Sequence, residues 1–101
     1  MKVVFLPAAE VDLSSLFLHI RDELHNEIAA RNIATKILQR AQDLASFPEM
    51  GANLGNIDRK LDSYRYLSVD NYIIIYRLNY TELCVVRILY ARSDYAQLLK
   101  G

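Results

Sequence analysis

Apolar and polar positions follow two rhythms along this chain, and the change between them falls near residue 48. In the first half apolar residues recur every three or four positions. Leu13, Leu16, Phe17, Ile20 and Leu24 stand at i, i+3, i+4, i+7 and i+11, which is one stripe of an amphipathic helix over residues 8–24. Pro7 suits the first turn of that helix, where an N–H would be unpaired anyway. A second stripe, Ala30, Ile33, Ile37, Ala41 and Leu44, widened by Ala34, Leu38 and Ala45, predicts a helix over residues 27–46. Asn26 is placed to cap it and Glu27 to complement its first turn. Two such helices separated by two or three residues fold back as an antiparallel hairpin. Phe47-Pro48 closes the second helix, because a residue before proline avoids the helical region.

The second half reads in strands. Residues 64–69 and 72–78 are rich in aromatic and β-branched types, with Asp70-Asn71 as a two-residue turn between them. Residues 83–90 are apolar on both faces, as a central strand is. Residues 2–6 form a short buried strand, Gly51 and Gly55 mark a loop through about residue 63, and the chain from Arg92 on is a tail anchored only by Leu98 and Leu99. The order β-α-α-β-β-β predicts an α+β layer fold, a single domain over residues 1–101 with an antiparallel meander against a helical hairpin.

Composition narrows the class. The chain is 101 residues long and 52% hydrophobic with three glycines, a profile of a folded domain rather than a disordered one. No apolar run approaches the roughly 20 residues a membrane helix needs, and Pro7 and Glu10 interrupt the opening apolar segment too early for a secretory signal. The lone Cys84 excludes an internal disulfide and fits a reducing cytoplasm. Formal net charge is zero, which argues against a life on bare nucleic acid. The charge is nonetheless divided: residues 1–58 carry five basic and eight acidic groups, residues 59–101 seven basic and four acidic. Five of those seven are the arginines at 59, 65, 77, 87 and 92, a side chain suited to bidentate contact with carboxylate or phosphate.

Two arginines lie on largely apolar strand faces. Strict alternation groups Arg87 with Leu83, Val85 and Leu89, and Arg77 with Ile73 and Ile75. Such a placement is costly unless the charge is paired or reaches a groove. For Arg77 the expectation is a salt bridge to a helix acid such as Asp12 or Glu23; for Arg87 it is a contact with a partner.

The run Val85-Val86-Arg87-Ile88-Leu89-Tyr90-Ala91-Arg92-Ser93-Asp94 resembles the last-strand signature of the ParE branch of the RelE/ParE toxins, commonly an Arg-Val-Leu-His-Gly-Arg-Arg-Asp-like string. Phe47-Pro48-Glu49-Met50-Gly51, Tyr64-Arg65, Tyr72-Ile73-Ile74-Ile75-Tyr76 and Ala8-Ala9-Glu10-Val11-Asp12-Leu13 agree with the same family in order and spacing across the whole chain. The departure is Tyr90, where that branch usually has histidine; a tyrosine hydrogen-bonds and stacks but carries no positive charge near neutrality.

The resemblance implies a cytoplasmic toxin of a type II toxin–antitoxin system, held silent by a cognate antitoxin and meeting operator DNA only through it. It implies no cofactor and no metal. RelE-like members cleave messenger RNA in the ribosome, whereas ParE-like members poison DNA gyrase and need no active site. For cleavage, Arg65 and Arg92 match phosphate-binding positions, with Tyr90 as a substitute acid or base and Arg59 and Lys60 as a basic loop. The tyrosine that RNA-cleaving relatives place six residues after the second arginine falls on Leu98 here, and Tyr95 does not have that spacing either. The better-matched motif therefore favours gyrase, with Arg87, Tyr90, Arg92 and Asp94 as target contacts. Ribosome-dependent cleavage is the alternative, and a member that only binds its antitoxin is a second one. Tyr64, Tyr66, Tyr72 and Tyr76 are the expected antitoxin contacts, since tyrosine joins apolar area to a polar tip. A free toxin exposing an apolar groove is expected to pair with a second copy.

Overall fold

The first strand, β1 (Lys2–Phe5), runs parallel to the last, β5 (Glu82–Tyr90), in the register Lys2 opposite Glu82 to Phe5 opposite Val85. In this computed structural model, which describes residues 1–100 and at 95, 96 and 100 the backbone alone, the sheet order is β1-β5-β4-β3-β2. The connection from β1 is α1 (Pro7–Leu18), with proline in its first turn as expected. It continues through a π-helical turn over His19–Glu23, so the helical path ends close to the predicted residue 24. His25 then takes a left-handed conformation, φ 51°, which reverses the chain. Asn26 caps α2 (Glu27–Ser46) by accepting from the Ala29 N–H at 3.0 Å.

The buried residues of α2 are Ala30, Ile33, Ile37, Ala41 and Leu44, the stripe the periodicity predicted. The alanines at 30 and 41 are fully buried, so no longer side chain holds the helix away from its neighbours. With Leu16 and Ile20 they form a core against Val69, Ile74, Tyr76, Leu83, Val85 and Ile88 on one face of the sheet.

The strands β3 (Arg65–Val69) and β4 (Tyr72–Leu78) form a hairpin, with Asp70 at φ 54° in its turn. β5 pairs antiparallel with β4 on one side and parallel with β1 on the other, and so lies inside the sheet, as its two apolar faces require.

Three features depart from the sequence reading. The stretch after α2 is not plain loop: it contains β2 (Ala52–Asn53), which pairs with β3, and two short 3₁₀ turns at Leu54–Asn56 and Arg59–Leu61. Leu54 and Leu61 from these turns bury themselves with Ile73, Ile75 and Leu89 on the sheet face opposite the long helices. The tail contains a short helix, α3 (Tyr95–Lys100), whose Leu99 packs on that second cluster. The third departure is a bulge. Ile75 faces Arg87 while Tyr76 faces Val85, leaving Val86 without a partner on β4. The extra residue switches which face the rest of β5 presents. Ile88 therefore joins Leu83 and Val85 beneath the helices, and Leu89 crosses to the other side. The strict alternation that grouped Leu89 with Leu83 and Val85 is corrected accordingly.

Candidate functional site: the free end of the last strand

The resemblance directs attention to the end of β5, where the strand outlasts its partner β1. Arg87 does not project freely from it. Its Nε donates to Asp12 Oδ2 at 2.7 Å and its Nη2 to Asp12 Oδ1 at 2.9 Å, a two-pronged pair between β5 and α1. The side chains are 24% and 12% exposed. Hydrogen bonding to Asp12 outweighs desolvation and raises the Arg87 pKa, so its charge is fixed. The ion pair expected for Arg77 thus belongs to Arg87. Arg77 itself is exposed, opposite Cys84 in the β4–β5 register.

Tyr90 ends the strand and is 46% exposed. Its ring meets Tyr72 edge-on, centroids 5.8 Å apart at 69°, the arrangement an aromatic quadrupole favours. Burial, with a smaller contribution from Tyr90, pushes the Tyr72 hydroxyl up from its ordinary pKa, so it stays neutral at physiological pH. The turn that follows is anchored at two points: Ala91 N–H donates to Asn71 O at 2.8 Å and Ser93 N–H to Tyr90 O at 2.9 Å. Asp94 is placed as a cap for α3, its Oδ1 accepting from the Gln97 N–H at 3.3 Å. Arg92 is exposed in this turn and makes no hydrogen bond or ion pair among the described residues. Between α1 and the end of β5 lies a cleft of about 560 Å³ lined by Asp12, Ser15, Leu16, His19, Leu24, Asn71, Tyr72 and Tyr90, among others.

Of the residues proposed for phosphate chemistry, Tyr90 and Arg92 lie at this strand end, but Arg65 does not. Arg65 opens β3, where its Nη2 donates to the backbone carbonyls of Glu49 at 3.0 Å and Gly51 at 2.5 Å. Its Nε is buried without a partner among the described residues. Arg65 faces Tyr76, whereas Tyr90 faces Tyr72. Four residues of strand and two strand spacings separate them, on the order of 16 Å between backbones. The structure does not bring Arg65 and Tyr90 to one phosphate. Arg59 and Lys60 are exposed on the second 3₁₀ turn, and the side chain of Tyr95 lies outside the described residues.

The four tyrosines expected at the antitoxin surface divide. Tyr76 is fully buried: its hydroxyl donates to Pro48 O at 2.7 Å and accepts from Gly51 N–H at 3.1 Å. It is a core residue with nothing to present to a partner. Tyr72 is half-buried against the helix-side cluster, and Tyr64 and Tyr66 are half-buried against the opposite one. The sheet face that these two border is covered by the 3₁₀ turns and Leu99. A separate cleft is lined by the exposed Met1, Phe47 and Met50 with the half-buried Leu78.

Sequence reasoning named Asp12 only as a partner for Arg77; an acid on a helix flank opposite an arginine-bearing strand is a weak signal that geometry alone resolves. Nothing in the sequence marked Asn71 as the anchor for the turn at Ala91. His19 and His25 are both exposed. Among the described residues no helix is long and apolar enough to cross a membrane.

Comparison with known proteins bears on this arrangement. The family described as "ParE toxin of type II toxin-antitoxin system, parDE" matches residues 3–95. No curated protein matches the chain. Among solved structures, one titled "Chromosomal ParDE TA system from P. aeruginosa" superposes with a TM-score of 0.76 at 18% identity, covering 91% of this chain and 97% of that one. A superposition this close at so low an identity shows that the fold is common to both. The chain belongs to the ParE toxin family of type II toxin–antitoxin systems.

Proposed function

We propose that this toxin arrests growth by poisoning DNA gyrase, and that a cognate antitoxin neutralises it in the cytoplasm. The observation that carries the reading is the anchored end of β5. Tyr90 and Arg92 stand exposed on a strand end and turn held by the Asp12 pair and the Asn71 contact. An arginine and an aromatic ring on a rigid support are what gripping a protein, or a protein–DNA junction, requires, because little conformational freedom is lost on binding. Arg87 and Asp94 support this end, Arg87 by its ion pair and Asp94 by capping α3. Arg65, spent on two backbone carbonyls and remote from Tyr90, gives the ribosome-dependent cleavage reading less to work with. The antitoxin draws on Tyr72 and on the exposed parts of Tyr64 and Tyr66, while Tyr76, fully buried, takes no part.

Induced expression tests the reading. The wild-type chain should stop growth, and co-expression of the antitoxin should restore it. Arg92→Ala should abolish arrest while leaving the thermal midpoint and antitoxin affinity unchanged. A fully lethal Arg92→Ala toxin would remove Arg92 from the target surface.

A further inference from the structure

β1 stops at Phe5, opposite Val85, yet β5 continues to Tyr90. Along that continuation the flank left uncovered by β1 is bordered by α1, whose backbone acceptors are engaged within the helix. A single α1 side chain supplies an acceptor for the strand. Asp12 Oδ2 accepts from the Ile88 N–H at 2.9 Å while also holding Arg87 Nε at 2.7 Å, and Oδ1 accepts from Arg87 Nη2 at 2.9 Å. The carboxylate supplies an acceptor where a longer β1 would have supplied a backbone carbonyl. It does so directly after the bulge at Val86, where the ladder to β4 is interrupted. Downstream of both lie Tyr90 and Arg92.

We infer that Asp12 is a positioning residue for the target-binding end: by closing the flank of β5 beyond the bulge, it fixes the direction in which Tyr90 and Arg92 are presented. The inference rests on the target-binding reading above and deepens it. It explains why a partly buried charge pair is kept at this point of the sheet. A neutral apolar pair would pack the seam but leave the Ile88 N–H without a partner.

The test uses the full-length toxin with Asp12→Ala, Asp12→Asn and, as a control, Ile37→Ala, which destabilises the core from the fully buried side of α2. Growth arrest is read at matched levels of folded toxin, and amide exchange is read at Ile88 and in α2. Asp12→Ala removes all three Asp12 hydrogen bonds and should weaken arrest at least about tenfold; Ile88 exchange, which reports the one bond to its own N–H, should speed about tenfold, with α2 amides unaffected. Asp12→Asn, whose oxygen can still accept from Ile88 but whose amide N–H meets an Arg87 donor and carries no charge, should fall between wild type and Asp12→Ala on both readouts. Ile37→Ala should lower the melting temperature and leave arrest intact. Wild-type potency in Asp12→Ala, or equal loss in Ile37→Ala, would overturn the positioning role. A wild-type toxin that arrests nothing would instead sink the target-binding reading, so the two failures are distinguishable.

Discussion

Arg65 and Tyr76 face each other across β3 and β4, and both are spent on the 48–51 loop. Tyr76 bridges Pro48 and Gly51, while Arg65 donates to Glu49 and Gly51. Gly51 itself has no room for a side chain, since an added Cβ would meet Tyr66 O at 2.5 Å and the Tyr76 hydroxyl at 2.6 Å. Arg65→Ala should therefore cost about 1–3 kcal/mol of stability by stranding two carbonyls, read as a shift in urea midpoint at unchanged slope. Its growth arrest, measured well below the unfolding temperature, should be retained. Loss of arrest with stability intact would return Arg65 to phosphate chemistry. At this scale the sequence was only partly legible. The number of tyrosines pointed to an interface, but no periodicity records that the Tyr76 hydroxyl has two backbone partners in a loop 25 and 28 residues away. Arg77 and Arg87 were assigned wrongly with respect to Asp12 because periodicity does not say which sheet face the helices cover: Ile73 and Ile75, which share a face with Arg77, pack on the side opposite them.

Long periodic elements were the most legible. The stripe of α2 could be read residue by residue, because burial at a 3.6-residue period leaves a mark over five turns of sequence. Its start was legible too, since Asn26 is a residue type that caps helices and does so here. Asn26→Ala should cost about 1 kcal/mol, detectable by thermal or urea unfolding, and its absence would mean that the reversal at His25 holds the helix end without the cap. The short elements left no comparable mark. β2 has two residues, and the 3₁₀ turns have three each, too few for any pattern to repeat. α3 has six residues with Leu99 as its contact to the second cluster, so it reads as tail. These missed pieces are what cover the second face of the sheet, which is why Tyr64 and Tyr66 lie half-buried there rather than open.

Over the whole molecule, the α+β layering, the order of the main elements along the chain and the family were legible together, because the resemblance ran the length of the chain; the parallel pairing of β1 with β5 was not. The family match over residues 3–95 and the shared fold at 18% identity agree with that reading. Target choice was less legible, since it depends on which arginines are free. Arg65 and Arg87 are committed within the molecule, while Arg92 remains exposed beside Tyr90. That division leads to gyrase poisoning by surface contact as the central claim. The direct measurement is a gyrase supercoiling and DNA-cleavage assay with purified toxin, with and without its antitoxin. A gyrase-poisoning toxin should inhibit supercoiling and accumulate cleaved complexes, both effects abolished by the antitoxin and by Arg92→Ala. An unaffected gyrase, together with toxin-dependent cleavage of messenger RNA on ribosomes, would contradict it.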